Sequence, residues 1–208
     1  MDLPSAGQQR AGAAVTERCS FEQFIAQADE DVWAEWVNGE VFTMSPASDQ
    51  HQDLVRFLSA LLSLFIEAHD TGWVRSAPFA MHLADRAREP DLLFVRKERM
   101  GRVQSTYLEG PADLVVEIVS VESIGRDRGD KFVEYEAGGV PEYWLIDPLR
   151  ERAEIYHLDD QGRYQPMPLE AGILTSRAVP GFRLRVDWLW RKPLPKILEA
   201  AAELDLLG

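Results

Sequence analysis

An acid stands in the middle of an apolar strand. Residues 113–120 read DLVVEIVS, with Glu117 between Val116 and Ile118. A run this rich in Val and Ile is the pattern of a strand covered on both faces. Residues 126–137 follow with helical composition and stop at Gly138-Gly139, a strong C-terminal signal. Residues 143–146 form a second buried strand, closed by Asp147-Pro148. A helix crossing between two buried strands implies a parallel βαβ unit with a right-handed connection. The expected fold class is therefore α/β (α+β). An ionised carboxylate inside such a strand is costly unless it is paired or binds a metal. Lys131, on the crossover helix, is one partner for Glu117. Asp91, opening the run EPDLLFV, is a second acid at a strand start. Two carboxylates on neighbouring strands with a lysine nearby can bind a divalent cation and attack a phosphodiester.

Composition narrows the setting. A chain of 208 residues can bury one good core, so one domain over residues 20–208 is expected. Residues 1–19 are expected to be disordered, being small and polar without periodicity. No apolar run approaches the roughly 20 residues that span a bilayer. The first residues lack a basic start followed by an apolar block, so no membrane association and no secretion are expected. The single cysteine, Cys19, permits no internal disulfide, which fits a cytoplasmic location. The net charge of −13 argues against a protein held on nucleic acid by a broadly basic surface. That charge is uneven. Residues 1–70 carry a net −9, whereas residues 71–131, which hold Asp91, Glu117 and Lys131, are balanced.

Around the central unit, local signals place the other elements. Ser20 is a plausible N-cap for a short helix over residues 21–28. Residues 33–44 read as a hairpin about Asn38-Gly39, the preferred type I′ turn. Glu35 shares a strand face with Trp33 and Val37, which makes it another isolated acid if that face is buried. Ser48 caps a long helix over residues 50–69 with a broad apolar stripe. His51 lies in its first turn, where a solvated helix-end histidine is the expected reading. Residues 72–83 and 90–95 read as strands joined by the charged turn ADRARE. Residues 96–109 read as a basic polar loop, either a flap or a plain surface loop. A hairpin over residues 152–157 and 163–168, a strand over 182–186 and a helix over 195–204 complete the chain.

The chemistry follows from the constellation. A divalent ion lowers the pKa of a coordinated water and holds a phosphoryl oxygen. Magnesium takes oxygen ligands, one or two of them carboxylates. Asp91 and Glu117 suit that role, the carbonyl of Ile118 is a further candidate ligand, and Lys131 is the group to orient or help deprotonate the water.

The motifs, in order, resemble a known family. Pro90-Asp91, then VVEIVS at 115–120, then RDRGDKFVEYEAGGVPEYWLIDP at 126–148 look like the Uma-two family of endonucleases. That family lies in the PD-(D/E)XK, restriction-endonuclease-like superfamily. The likeness extends to WAEWVNGE at 33–40, the His51 helix start and PGFRLRVDWLW at 180–190, and so spans about residues 20–190. It implies a central mixed sheet flanked by helices and a Mg2+-dependent site, with Mn2+ as a substitute, acting on nucleic acid and first of all on DNA. Asp91 matches the PD acid, Glu117 the second acid, and Glu35 the acid before the hairpin turn, a catalytic residue that the resemblance implies would complete the metal shell. The position two after Glu117 is Val119 rather than lysine. The resemblance moves that lysine to the following helix, at Lys131.

Blander readings stand beside these. Asp91 can simply end a turn. Lys131 can be a surface residue paired with Asp127 or Glu134 at helical spacing. Glu35 can pair across the hairpin with a basic group. Tyr135 and Tyr143 read as core aromatics with a polar tip, and Trp188 and Trp190 as packing. The alternative function is a catalytically inactive nuclease fold kept as an interaction or nucleic-acid-binding module, for which Lys131 should point to solvent. A lone small nuclease domain is expected to act as a homodimer, through its apolar hairpin and C-terminal helix.

Overall fold

A computed structural model describes residues 18–27, 34–43, 47–120 and 129–206 of the chain. Helix α1 spans Phe21–Gln27. Ser20 caps it: its hydroxyl accepts from the Gln23 N–H (3.2 Å), and the Gln23 side chain accepts from the Ser20 N–H (2.8 Å). This reciprocal pair is a capping box. Strands β1 (Ala34–Val37) and β2 (Glu40–Thr43) make the expected hairpin. Asn38 and Gly39 between them have φ of 52° and 88°, the left-handed values that a type I′ turn requires. Arg18 and Cys19, expected to be disordered, are instead pinned to this hairpin. The Cys19 N–H bonds to the Gly39 carbonyl (2.9 Å), and the Cys19 carbonyl accepts from the Trp36 indole (2.9 Å).

Helix α2 runs over Asp49–His69. The Ser48 hydroxyl accepts from the His51 N–H at 3.3 Å. Ser48→Ala is expected to cost about 1 kcal/mol of stability, which urea denaturation can measure. Every residue of its apolar stripe, from Leu54 to Ile66, is buried. Each large side chain there contributes roughly 1.5–3 kcal/mol by leaving water.

The central sheet has six strands in the order β11-β10-β9-β8-β6-β3. These are β3 (Gly72–Ser76), β6 (Leu92–Arg96), β8 (Leu114–Ile118), β9 (Glu142–Asp147), β10 (Arg152–Leu158) and β11 (Tyr164–Pro166). β8 and β9 pair in parallel, and the other neighbours pair antiparallel. The fold is α+β, with a mixed sheet as expected. Helix α3 (Lys131–Gly138) returns the chain between β8 and β9. It ends at Gly139, whose φ of 78° is the left-handed C-terminal stop. Residues 121–128, with the expected helix start and Asp127, lie outside the described residues.

The alternation of a strand places one set of side chains on each face. Leu92, Phe94, Leu114, Val116, Ile118, Trp144 and Ile146 pack against α2. Leu93, Val95, Val115, Tyr143 and Leu145 pack with Tyr135 of α3 and with Met81 and Leu83 on the other face. Glu117, between Val116 and Ile118, therefore faces α3.

Three sequence expectations change. Residues 72–83 are two strands in different sheets, since β4 is Ala80–Leu83. Pro78 lies in the break, where its missing N–H cannot serve a ladder. The charged turn ADRARE contains a strand, β5 (Arg86–Arg88), turning at Ala84-Asp85. The basic segment after β6 is not a flap. It forms a 3-10 helix over Lys97–Arg102 and then β7 (Tyr107–Glu109), which pairs in parallel with β4. Arg99 ties that segment to the buried Asp113 at 2.6 Å. The five-stranded sheet thus runs β2-β1-β5-β4-β7. Near the C-terminus, β12 (Ile173–Thr175) pairs with β13 (Arg183–Arg185), and α4 (Ile197–Glu203) packs Ala200 and Ala201 into the α2 core. Among the described residues no helix is long and apolar enough to cross a membrane.

Candidate active site

The register of the central sheet sets the two acids side by side. Leu92 pairs with Val116, so the next step of the same antiparallel register puts Asp91 opposite Glu117. On the other side of Asp91, its carbonyl accepts from the Ala77 N–H at 3.2 Å. Asp91 occupies the bend that enters β6, and its carboxylate meets the backbone of β8. The Ile118 N–H donates to Asp91 Oδ2 at 2.6 Å. His51, in the first turn of α2, places Nε2 3.0 Å from the same oxygen. His51 is only 8% exposed, so the expectation of a solvated helix-end residue is corrected. The Ser48 cap orients the first turn so that its histidine docks on the strand entry.

Glu117 meets α3 on its own face of the sheet. Lys131 Nζ donates to Glu117 Oε1 at 2.9 Å, and the Tyr135 hydroxyl donates to the same atom at 2.6 Å. These donors lie one helical turn apart, at i and i+4 of α3, which puts both on one stripe of the helix. Lys131 Nζ also stands 3.2 Å from Glu35 Oε1. Lys131 is 3% exposed and Glu35 is 1% exposed, so neither is a surface residue. Glu35 is delivered by the hairpin, and Arg88 of the neighbouring β5 donates to Glu35 Oε2 at 2.6 Å. Arg88 also grips Glu134 of α3 with two parallel bonds of 2.7 and 2.8 Å. Arg86 adds a contact to Glu134 at 2.9 Å. The hairpin, β5, α3 and β8 are thereby joined by one buried chain of charges.

The electrostatics follow from crowding and burial. Burial works to lower the Arg88 pKa, but the hydrogen bond to Glu134 and the charges of Glu35 and Glu134 hold it above its ordinary value. Burial and the charges of Glu117 and Glu35 push Tyr135 well above the usual phenol range, so its hydroxyl stays a donor. Glu89, beside the network, is pushed up to about 8 by burial and by Glu35, with Lys131 opposing. Its Oε2 is buried with no hydrogen-bond partner among the described residues.

The residues singled out in the sequence are thus gathered. Glu117, Lys131 and Glu35 form one ion-paired cluster, and Asp91 lies in the bend that enters the adjacent strand β6, joined to β8 through the backbone of Ile118. The Ile118 N–H donates to Asp91, not to the Glu117–Lys131–Glu35 cluster. Among the described residues, no three His, Cys, Asp or Glu side chains form a ready metal cage. Sequence reasoning missed Arg88, Glu89, Glu134, Tyr135 and the role of His51. The signal for Arg88 and Glu89 was their place just ahead of Pro90-Asp91, where they read as turn. Tyr135 sat one turn beyond Lys131 and read as core.

A family model described as "Putative restriction endonuclease", Uma2, matches residues 21–187. Among solved structures, the crystal structure of a putative nuclease from Anabaena variabilis superposes with a TM-score of 0.68 at 14% identity, covering 81% of this chain and 96% of that one. This likeness is one of fold. No curated protein matches the chain. The matched stretch holds Glu35, His51, Arg88, Asp91, Glu117 and Lys131, and the chain belongs to the Uma2 family of putative restriction endonucleases.

Proposed function

We propose that this protein is an endonuclease that hydrolyses phosphodiester bonds of nucleic acid, DNA in the first place, with Mg2+ as cofactor and Mn2+ as a substitute. One observation carries the reading: Lys131 of α3 is buried between Glu117 of β8 and Glu35 of the hairpin, and Asp91 at the entry of β6 bonds to the backbone of β8. The donor chemistry fits a hard divalent cation. The candidate ligands are oxygens, and around them the carboxylates of Glu35, Asp91, Glu117 and Glu134 outnumber the cations Arg86, Arg88 and Lys131. Magnesium keeps several waters and takes one or two protein carboxylates, so a site without a three-residue cage suits it. Asp91 and Glu117 would hold the ion, with the Ile118 carbonyl as a further ligand beside them. When bound, the ion supplies an activated water and positive charge for the phosphoryl oxygens.

The protein groups do the rest. Among the described residues the bonds from His51 and Ile118 both fall on Asp91 Oδ2, which would leave Oδ1 for the ligand role. Lys131 orients the attacking water and offsets charge that builds on the phosphate. Glu35, itself held by Arg88, fixes the ammonium of Lys131 in place. Tyr135 keeps Glu117 in one pose. Two sites are needed to address two strands, and a homodimer would supply them. The alternative, an inactive binding module, called for Lys131 in solvent; its burial favours the enzyme.

A plasmid-nicking assay tests the reading. Nicking is expected in Mg2+ and in Mn2+ and is expected to vanish with EDTA. Intact protein that cleaves neither duplex DNA, single-stranded DNA nor RNA with either metal would overturn it.

A further inference from the structure

We infer that His51 is the positioning residue of the site: its imidazole holds the Asp91 carboxylate in the orientation that the proposed cation would need. This rests on the endonuclease reading for its purpose, but its geometry stands alone. A carboxylate oxygen only accepts, so His51 Nε2 carries the proton and donates across 3.0 Å to Asp91 Oδ2. The two side chains are 9% and 6% exposed, which leaves water little room to replace the bond. The same oxygen takes the Ile118 N–H at 2.6 Å. Two donors from different elements, α2 and β8, therefore fix both the place and the rotation of one carboxylate. The Ser48 cap binds the His51 backbone N–H and so sets where the side chain leaves the helix, and burial of the side chain confines the ring. A histidine that orients a ligating carboxylate belongs to the outer partners whose removal typically costs 10–100-fold in metal affinity.

The helix could have reached the strand with an apolar residue at this position. The stripe below it is apolar from Leu54 onward, and a leucine would continue it. The sequence instead places a polar ring where it meets an acid at the entry of β6.

The test compares His51→Leu, His51→Asn and His51→Gln in the full chain. Glutamine keeps an N–H donor near the position of Nε2, asparagine keeps a donor that falls short, and leucine keeps none. The first readout needs no metal. Site-resolved hydrogen exchange at the Ile118 amide reports whether Asp91 still holds its pose. The leucine and asparagine variants are expected to exchange about tenfold faster there, the factor set by losing order at a hydrogen bond to a charged group. Other β8 amides are expected to stay unchanged, and the glutamine variant is expected to stay near wild type. The second readout is Mn2+ affinity by calorimetry, expected to fall 10–100-fold in the leucine and asparagine variants and to recover in the glutamine variant.

A folded leucine variant with wild-type Ile118 exchange and wild-type Mn2+ affinity would overturn the inference. So would a glutamine variant as impaired as leucine in both, since that makes the ring a packing element only. If leucine fails to fold, the contrast between asparagine and glutamine decides. Wild-type protein that neither binds Mn2+ nor nicks nucleic acid would remove the endonuclease reading, while the Ile118 exchange still decides the positioning.

Discussion

Glu117→Gln is expected to lower nucleic-acid cleavage by on the order of a thousandfold or more, with the fold intact. Losing a group that holds charge in a transition state costs on the order of 100- to 1,000-fold even for a single donor, and here the cation would lose a charged ligand as well. A thousandfold is roughly 4 kcal/mol of barrier. Glutamine is nearly the same shape, and its Oε1 can still accept from Lys131 and Tyr135 as the glutamate does. Lys131 keeps a charged partner in Glu35 at 3.2 Å, so no buried ammonium is left alone. The substitution therefore separates charge from packing. The checks are the nicking rate in Mg2+ and the urea midpoint of the same sample. Full activity in a folded variant would sink the assignment of Glu117. A large loss of stability beside the loss of activity would mean that the carboxylate is structural first.

Arg88→Met is expected to destabilise the protein by about 3–5 kcal/mol, the usual cost of removing one partner from a buried ion pair. Methionine fills much of the same volume, so the effect is electrostatic rather than a cavity. It leaves Glu35 Oε2 without its 2.6 Å donor and Glu134 without its bidentate clamp. Arg86 still holds Glu134 at 2.9 Å and Lys131 still neighbours Glu35, which argues for the lower end of that range. Adding Glu35→Gln should then recover part of the loss, because the orphaned charge is gone. Urea denaturation of the two single variants and the double variant gives the coupling directly. An Arg88→Met variant within 1 kcal/mol of wild type would show that the network is solvated and contributes little.

The two variants probe different parts of one design. Glu117 is expected to act in the chemistry, whereas Arg88 is expected to act by holding Glu35, which in turn holds Lys131. The distinction matters because the endonuclease superfamily that the sequence resembles places its lysine two residues after the second acid. Here Val119 fills that position and is buried in the core. Lys131 reaches Glu117 from the helix instead, so the ammonium has no strand to fix it. Glu35 and Arg88 supply that fixing from a second sheet.

What the sequence by itself determined was local. The NG turn, the Ser20 and Ser48 caps, the apolar stripe of α2 and the Gly138-Gly139 stop were all legible. Each rests on a conformational preference or a periodicity that acts within a few residues. The parallel pairing of β8 and β9 was legible too, because a helix between two apolar runs leaves few other arrangements. Glu117 stood out because an acid in such a run needs a partner.

The sequence offered Lys131 as one partner of Glu117, and the structure shows that pair; only the tertiary structure decided what else surrounds it. Arg88 and Glu35 meet across 53 positions of the chain, and His51 and Asp91 across 40. No local pattern encodes such a meeting. In the sequence, Arg88 was one charge in a turn and His51 one polar residue at a helix start. The same side chains become partners only when β5 lies beside the hairpin and α2 docks on the entry of β6. Their physical reason is burial: once Glu35, Asp91 and Glu117 are removed from water, each must find a donor, and the fold supplies it from whichever element passes closest.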